Sequence, residues 1–296
     1  MAAIEGVIAA QNEASGHGRG LGWRQNFETL RAGCRDLPAT SGLAAQVEWQ
    51  SLTSAPLRPW NSIPIAEVDE PLQEIPMALL RLEPHPYATL GAPYGPAASP
   101  FRLRQGVVSR LLQAQQALQK QQPGWSLAIF DAWRPVAVQR FMVRHALVVE
   151  CGRIGIDPDL PSAERDQAEA AVDRFWAPPS DNPATPPPHS TGAAVDLTLA
   201  DAAGHALAMG GEIDEVGRIS EPLFHQAASL ADSSSPAATW HQRRQLLARV
   251  MAGSGFEQHP NEWWHFSWGD QLWAWRSGAK EACYGRIGDS ANSRLS

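Results

Sequence analysis

Three short segments concentrate ionisable side chains among aromatic and small apolar ones: Asp131-Ala132-Trp133-Arg134-Pro135, His189-Ser190-Thr191-Gly192-Ala193-Ala194-Val195-Asp196 and Glu262-Trp263-Trp264-His265-Phe266. Polar groups in such company are costly to bury unless they bind a metal, pair with each other or carry out chemistry. A catalytic zinc takes three protein ligands from His, Asp or Glu and keeps a fourth position for water. His189, Asp196 and His265 would supply two imidazoles and a carboxylate, and Gly192 lets the chain turn so that the loop and the following segment converge. The water still needs a base, and Glu262 is the candidate. In a regular strand the side chains of Glu262 and His265 face opposite sides, so this assignment requires a bend or a strand start between them. Arg134, between Trp133 and Pro135, is a cation for either of two tasks, offsetting an oxyanion or clamping a substrate carboxylate, and the sequence leaves both open.

The elements that must position these residues follow from periodicity. Val107, Leu111, Ala114 and Leu118 fall on one face of a helix within residues 101–122, which Pro123-Gly124 stops. Trp125 to Phe130 reads as a buried strand that delivers Asp131 at its end. Pro135 suits the first turn of a second helix running to about Glu150, with Val138, Phe141, Met142, His145 and Val149 inward. The stretch 152–188 reads as connection, with one amphipathic segment from Ser162 to Trp176. Its prolines at 178, 179, 183 and 186–188 set an extended approach to His189. Ala194 to Leu199 alternates, so that Val195, Leu197 and Leu199 face a core and Asp196 faces the other way. Residues 209–215 form an acidic loop, Thr239 to Met251 a further helix, and Asn261 to Trp268 an aromatic, strand-like segment. Helices interspersed among few strands predict an α+β fold, a single compact domain. Residues 1–70, which include the irregular turn Leu57-Arg58-Pro59-Trp60-Asn61, read as a variable arm packed on the core, and 71–296 as the domain that holds the candidate zinc site.

Composition excludes other classes. The chain has 296 residues, 44% of them hydrophobic, enough to bury a sizeable core. No apolar run approaches the roughly 18 residues of a spanning helix. A formal charge of −7 argues against nucleic acid as a partner. Cys34, Cys151 and Cys283 lack metal or disulfide spacing, and with no secretory signal in the opening segment the expected compartment is the cytoplasm. No glycine-rich phosphate loop follows a strand.

The pattern His-x-x-Gly-x-Ala-x-Asp at 189–196, followed by Glu-x-Trp-His at 262–265, resembles the zinc D-alanyl-D-alanine dipeptidases of the vancomycin-resistance type, within the group that includes lysostaphin-like enzymes and the hedgehog domain. The likeness extends over roughly Leu80 to Trp268. Phe130 to Pro135 resembles the family's arginine motif, Met209 to Asp214 its Met-Gly…Asp loop, and Arg243 to Phe256 the helix before the last ligand. The resemblance implies one zinc on His189, Asp196 and His265, Glu262 as general base and acid, and Arg134 stabilising the tetrahedral intermediate. It also implies a central, mainly antiparallel sheet flanked by helices. Two departures stand out: Pro187 replaces a serine that many members carry two residues before the first His, and 152–188 has no counterpart.

Read blandly, His17, His85, His145, His205, His225, His241 and His259 are structural or solvent-facing, with His145 in the core. Asp214 and Glu215 then belong to a solvated loop, Trp263 and Trp264 to core and pocket wall, and Asp131 pairs with Arg134 at a helix start. The expected activity is zinc-dependent hydrolysis of D-Ala-D-Ala or a similar short D-dipeptide from peptidoglycan chemistry. The alternatives are a D,D- or L,D-carboxypeptidase on stem peptides and a non-catalytic zinc-containing binding domain.

Overall fold

The computed structural model describes residues 57–95 and 99–288. His17, Cys34 and residues 1–56 of the arm expected over 1–70 lie outside the described residues. Seven strands occur in chain order: β1 (Leu72–Glu74), β2 (Leu80–Arg81), β3 (Arg102–Arg104), β4 (Ser126–Asp131), β5 (Ala194–Ala200), β6 (Glu257–Gln258) and β7 (His265–Ser267). The helices are α1 (Pro86–Thr89), α2 (Gln105–Gln121), α3 (Val136–Arg153), α4 (Ala163–Phe175), α5 (Gln226–Ala231), α6 (Pro236–Ala252) and α7 (Gln271–Ser277). A five-stranded sheet has the order β2-β4-β5-β7-β6. Only β2 and β4 run parallel in it, and the other neighbours are antiparallel. Strands β1 and β3 form a separate antiparallel ribbon. The α+β fold with a mainly antiparallel sheet is therefore as expected.

The main core lies between the sheet and helices α2 and α6. Val107, Leu111, Ala114 and Leu118 of α2, Leu247, Val250 and Met251 of α6, and Val195, Leu197 and Leu199 of β5 are all buried in it. Each such Val, Leu or Met side chain contributes roughly 1.5–3 kcal/mol by leaving water. On the other face of β5, Asp196 and Thr198 are buried too. A second apolar cluster joins Tyr87, Tyr94, Val138, Met142, Val172 and Trp176 from α1, α3 and α4, with Phe130 packed against it.

Local signals place the ends of these helices. Ser162 caps α4 by accepting from the Arg165 N–H at 3.1 Å, and acidic Glu164 and Asp166 sit in its first turn. Ser235 caps α6 in the same way, with Pro236 at the first helical position. Pro135 stands just before α3 rather than inside its first turn. The inward face of α3 is also rotated from the expected one. Met142, Ala146, Leu147 and Cys151 are buried, Val149 is exposed, and His145 is only half-buried, stacked on Phe141. A helix that packs α4 on one side and sheet on the other is apolar over a wide arc, so periodicity alone does not single out its innermost line.

Residues 57–70 contact later parts of the chain. Trp60 is buried, Ile65 bridges to Ala282, and Glu67 accepts from Arg104 and from the Gly285 N–H. Among the described residues no helix is long and apolar enough to cross a membrane.

Candidate active site

Three acidic and imidazole side chains stand in a row across three adjacent strands. Asp196 of β5 lies opposite Asp131 of β4 on one side and His265 of β7 on the other. The pairing of Asp131 depends on a bulge. Ile129 pairs with Leu197, so an unbroken ladder would set Asp131 opposite Val195, with its side chain on the core face beside Ile129. Phe130 is the extra residue. It turns Asp131 to the face of Asp196 while its own ring packs against the second cluster.

His189 reaches the row from a 3-10 turn, Pro188–Thr191. Gly192 ends that turn with φ +72°, as the required reversal predicts, and a Cβ there would lie 2.5 Å from Leu72 Cδ2. The bend required before His265 is also present. The Trp263 N–H donates to Ser220 O at 2.9 Å and Gln258 Nε2 donates to Trp263 O at 2.8 Å, which pins a non-strand segment between Glu262 and β7. Glu262 and His265 consequently face each other, with Oε2 3.6 Å from Nδ1.

The ligand atoms converge. His189 Nε2 is 3.2 Å from His265 Nδ1 and 3.2 Å from Asp196 Oδ2, and His265 Nδ1 is 3.1 Å from Asp196 Oδ1. A tetrahedral ion with ligands at about 2.0–2.1 Å has edges of about 3.3 Å, close to these separations. The partners of the other ring nitrogens assign the protons. His189 Nδ1 is 2.7 Å from the Ala132 carbonyl, which can only accept, so Nδ1 carries hydrogen and Nε2 is the atom turned to Asp196 and His265. Burial works against charging this ring, but the Asp196 carboxylate outweighs it and raises the His189 pKa, so a cation at Nε2 competes with a proton there. Ser267 Oγ donates to Asp270 Oδ2 at 2.8 Å, which leaves it to accept from His265 Nε2 at 3.3 Å and leaves Nδ1 bare. Two imidazole nitrogens and a carboxylate thus meet at one point, and all three residues are buried. This donor set fits a divalent cation, and the cluster is a possible metal site.

Around it lies a fixed electrostatic frame. Burial works against ionising Asp131, but Arg134, with His85 and His189, outweighs it and holds the carboxyl below its usual range. Arg134 donates to Asp131 Oδ2 from Nη2 at 2.8 Å and Nε at 3.1 Å, to Gln139 at 2.7 Å and to the Tyr87 hydroxyl at 3.3 Å. Asp196 Oδ2 is 3.5 Å away, and the guanidinium packs over the rings of Tyr87 and Trp176. Burial disfavours its charge, yet Asp131 and the other anions more than restore it, so Arg134 stays cationic. Burial also opposes ionising Asp196, and His189 and His265 overcome that to keep it far below the usual carboxylate range. Glu262 is pushed well up by burial and then by Asp196 and Asp214, which suits a group that takes up a proton.

Sequence reasoning proposed His189, Asp196, His265, Glu262 and Arg134, and the structure brings all five to one cleft. Two readings need correction, while His85 is structural as expected. Asp214 is not in a solvated loop: it lines the cleft, accepts from Tyr87 Oη at 2.7 Å, and burial, then Asp196, raise it to about 7. His259 is not a remote structural residue. It lines the cleft with Nδ1 3.4 Å from Glu262 Oε1 and its ring against His265, and burial holds it neutral. His85 is buried as a partner of Asp131 at 3.0 Å. The Met209–Asp214 motif carried a signal for Asp214, and the His-x-x-Glu spacing of His259 and Glu262 carried one for His259. Nothing in the sequence marked Tyr87.

The chain is similar to known proteins over most of its described length. Residues 81–281 match the family described as D-ala-D-ala dipeptidase. A D-alanyl-D-alanine dipeptidase of Synechocystis is 44% identical over 243 residues, 78% of this chain and 98% of that relative. One of Enterococcus faecalis is 28% identical over 144 residues, 48% of this chain and 62% of that protein. Among solved structures, an LD-carboxypeptidase, LdcB, aligns over 73% of this chain and 76% of its own with 14% identity and a TM-score of 0.35.

Proposed function

This chain belongs to the D-Ala-D-Ala dipeptidase family of peptidases, and from that premise we propose that it hydrolyses the amide bond of D-Ala-D-Ala or a similar short D-dipeptide with the aid of zinc on His189, Asp196 and His265. The observation that carries this reading is the convergence of the His189, Asp196 and His265 ligand atoms beside Glu262 and Arg134 in one cleft. Zinc, when bound, supplies Lewis acidity that polarises a carbonyl and brings the pKa of water down to about 7.

The chain's own residues do the rest. Glu262, whose burial favours its protonated form, takes the proton of the attacking water on its carboxylate and returns it to the departing amine. Arg134, always charged and locked by Asp131 and Gln139, offsets the negative charge that grows on the carbonyl oxygen, and its fixed position spares reorganisation at that moment. Asp214, oriented by the Tyr87 hydroxyl, pairs with the substrate ammonium. Trp176 and Trp264 wall the cleft against bulk water. The unpaired thiols Cys151 and Cys283 support a reducing compartment such as the cytoplasm as its place of work.

Metal analysis combined with a panel of D,D, L,D and L,L dipeptides and a D-Ala-D-Ala-terminated pentapeptide tests the reading. Wild type should hold one zinc per chain and favour the D,D dipeptide. Glu262→Ala should keep the zinc and lose about 10²–10⁴-fold in kcat, while His265→Ala should lose the metal. Full dipeptide turnover by Glu262→Ala would sink the mechanism, and preference for the pentapeptide would make the enzyme a carboxypeptidase.

A further inference from the structure

A dipeptide is a zwitterion, and its cleft needs a cation as well as the Asp214 anion. Arg134 is committed to Asp131, Gln139 and Tyr87, and Arg174 is bound to Glu221. Pro187 and Pro188, beside the first ligand, have neither a side-chain donor nor an N–H. Arg58 is the cleft guanidinium without such commitments. It lines the same cavity, of about 590 Å³ including its open mouth, together with Trp60, Trp176, His259 and Glu262.

Its donors are divided in a telling way. Nη2 donates to the carbonyls of Asp173 and, at 2.7 Å, Trp176, where the last turn of α4 leaves carbonyls without helical partners. Among the described residues the other guanidinium nitrogens have no hydrogen-bond partner and no carboxylate lies within ion-pair distance of Arg58. Burial lowers its pKa, and the carboxylates of Asp173 and then Glu262 are near enough to offset part of that. The backbone beside it is anchored, because Pro59 follows and the buried Trp60 ring is wedged against His259 at 5.5 Å and Trp275 at 5.6 Å. A half-buried guanidinium tied down on one edge, with its other edge unused in a catalytic cleft, is prepared for a carboxylate.

We propose that Arg58 is the carboxylate subsite, receiving the C-terminal carboxylate of the dipeptide while Asp214 takes its ammonium. The inference rests on the hydrolytic reading above and sharpens it: recognition of both charged ends, by residues outside the metal cluster, selects a free dipeptide over any longer or blocked peptide.

Holoenzyme kinetics on D-Ala-D-Ala and on its C-terminal amide, which lacks the carboxylate, decide the matter. Wild type should prefer the acid to the amide by roughly 10- to 100-fold in kcat/KM, the worth of a charge-assisted contact. Arg58→Gln should lose a similar factor on the acid, mainly through KM, and bring the acid-to-amide ratio near one. Arg58→Lys, which keeps a charge without the fork, should give an intermediate ratio, and it carries the comparison if the glutamine variant does not fold. Equal losses on acid and amide, or none, would make Arg58 only a cap of α4 and overturn the subsite while leaving hydrolysis intact. Turnover of neither compound by wild type would overturn the hydrolytic reading, and this inference with it.

Discussion

Asp270 touches no ligand atom of the metal cluster, yet it sets which nitrogen of His265 is bare. Its Oδ2 takes the Ser267 proton at 2.8 Å, and Ser267 Oγ in turn accepts from His265 Nε2. Replacing one such partner typically costs 10–100-fold in metal affinity. Asp270→Asn should therefore weaken zinc binding by about that factor in a competition titration against a chelating dye. Stability should change little, because Oδ1 also caps α7 through the Trp273 N–H at 2.8 Å and Asn caps as well as Asp. Unchanged zinc affinity would remove Ser267 and Asp270 from the account. At this scale the sequence was informative about ligands and base, since His, Asp and Glu beside Gly and Trp are conspicuous. Asp214 and His259 carried weaker signals, in the Met209–Asp214 motif and the His-x-x-Glu spacing, and Arg58 carried none, because a turn arginine has the composition of ordinary surface.

Among the elements, the decisive features are two local departures from regularity. The bulge at Phe130 turns Asp131 away from the core, and the left-handed Gly192 returns the His189 turn to β5. Gly192 donates its N–H to His189 O at 3.2 Å, while its carbonyl accepts from Arg104 N at 2.9 Å, so the reversal is tied from both sides. A Cβ at φ +72° costs about 1–2 kcal/mol on backbone grounds and meets Leu72 at 2.5 Å. Gly192→Ala should lower Tm by several degrees and weaken zinc binding in parallel, read by calorimetry and metal analysis. A variant as stable and as zinc-replete as its parent would show that the turn does not need glycine. The glycine was legible from its place between two ligands. The bulge was not, because an inserted residue is visible only against its partner strand.

For the molecule as a whole, a cation at the proposed metal site would tie the folding of the sheet to its binding. His189, Asp196 and His265 come from one turn and two strands, with His265 69 residues from Asp196 in the chain, and their ligand atoms meet only in the folded state. A ligand of the native state alone stabilises it by about 4 kcal/mol at a thousandfold excess over Kd. Stripping the metal should accordingly lower Tm by on the order of 10 °C, reversibly on adding zinc. A melt indifferent to chelator would deny the cluster its metal. The sequence by itself determined the helices of the core, the alternation of β5 and the side-chain types of the five candidate site residues, because periodicity and side-chain type are local properties. Only the tertiary structure decided that Asp131 faces the site, that Glu262 turns toward His265, and that Arg58, Asp214 and His259 share their cleft. Register and convergence are set by contacts between distant segments, and one inserted residue in a ladder reverses the face of every side chain beyond it.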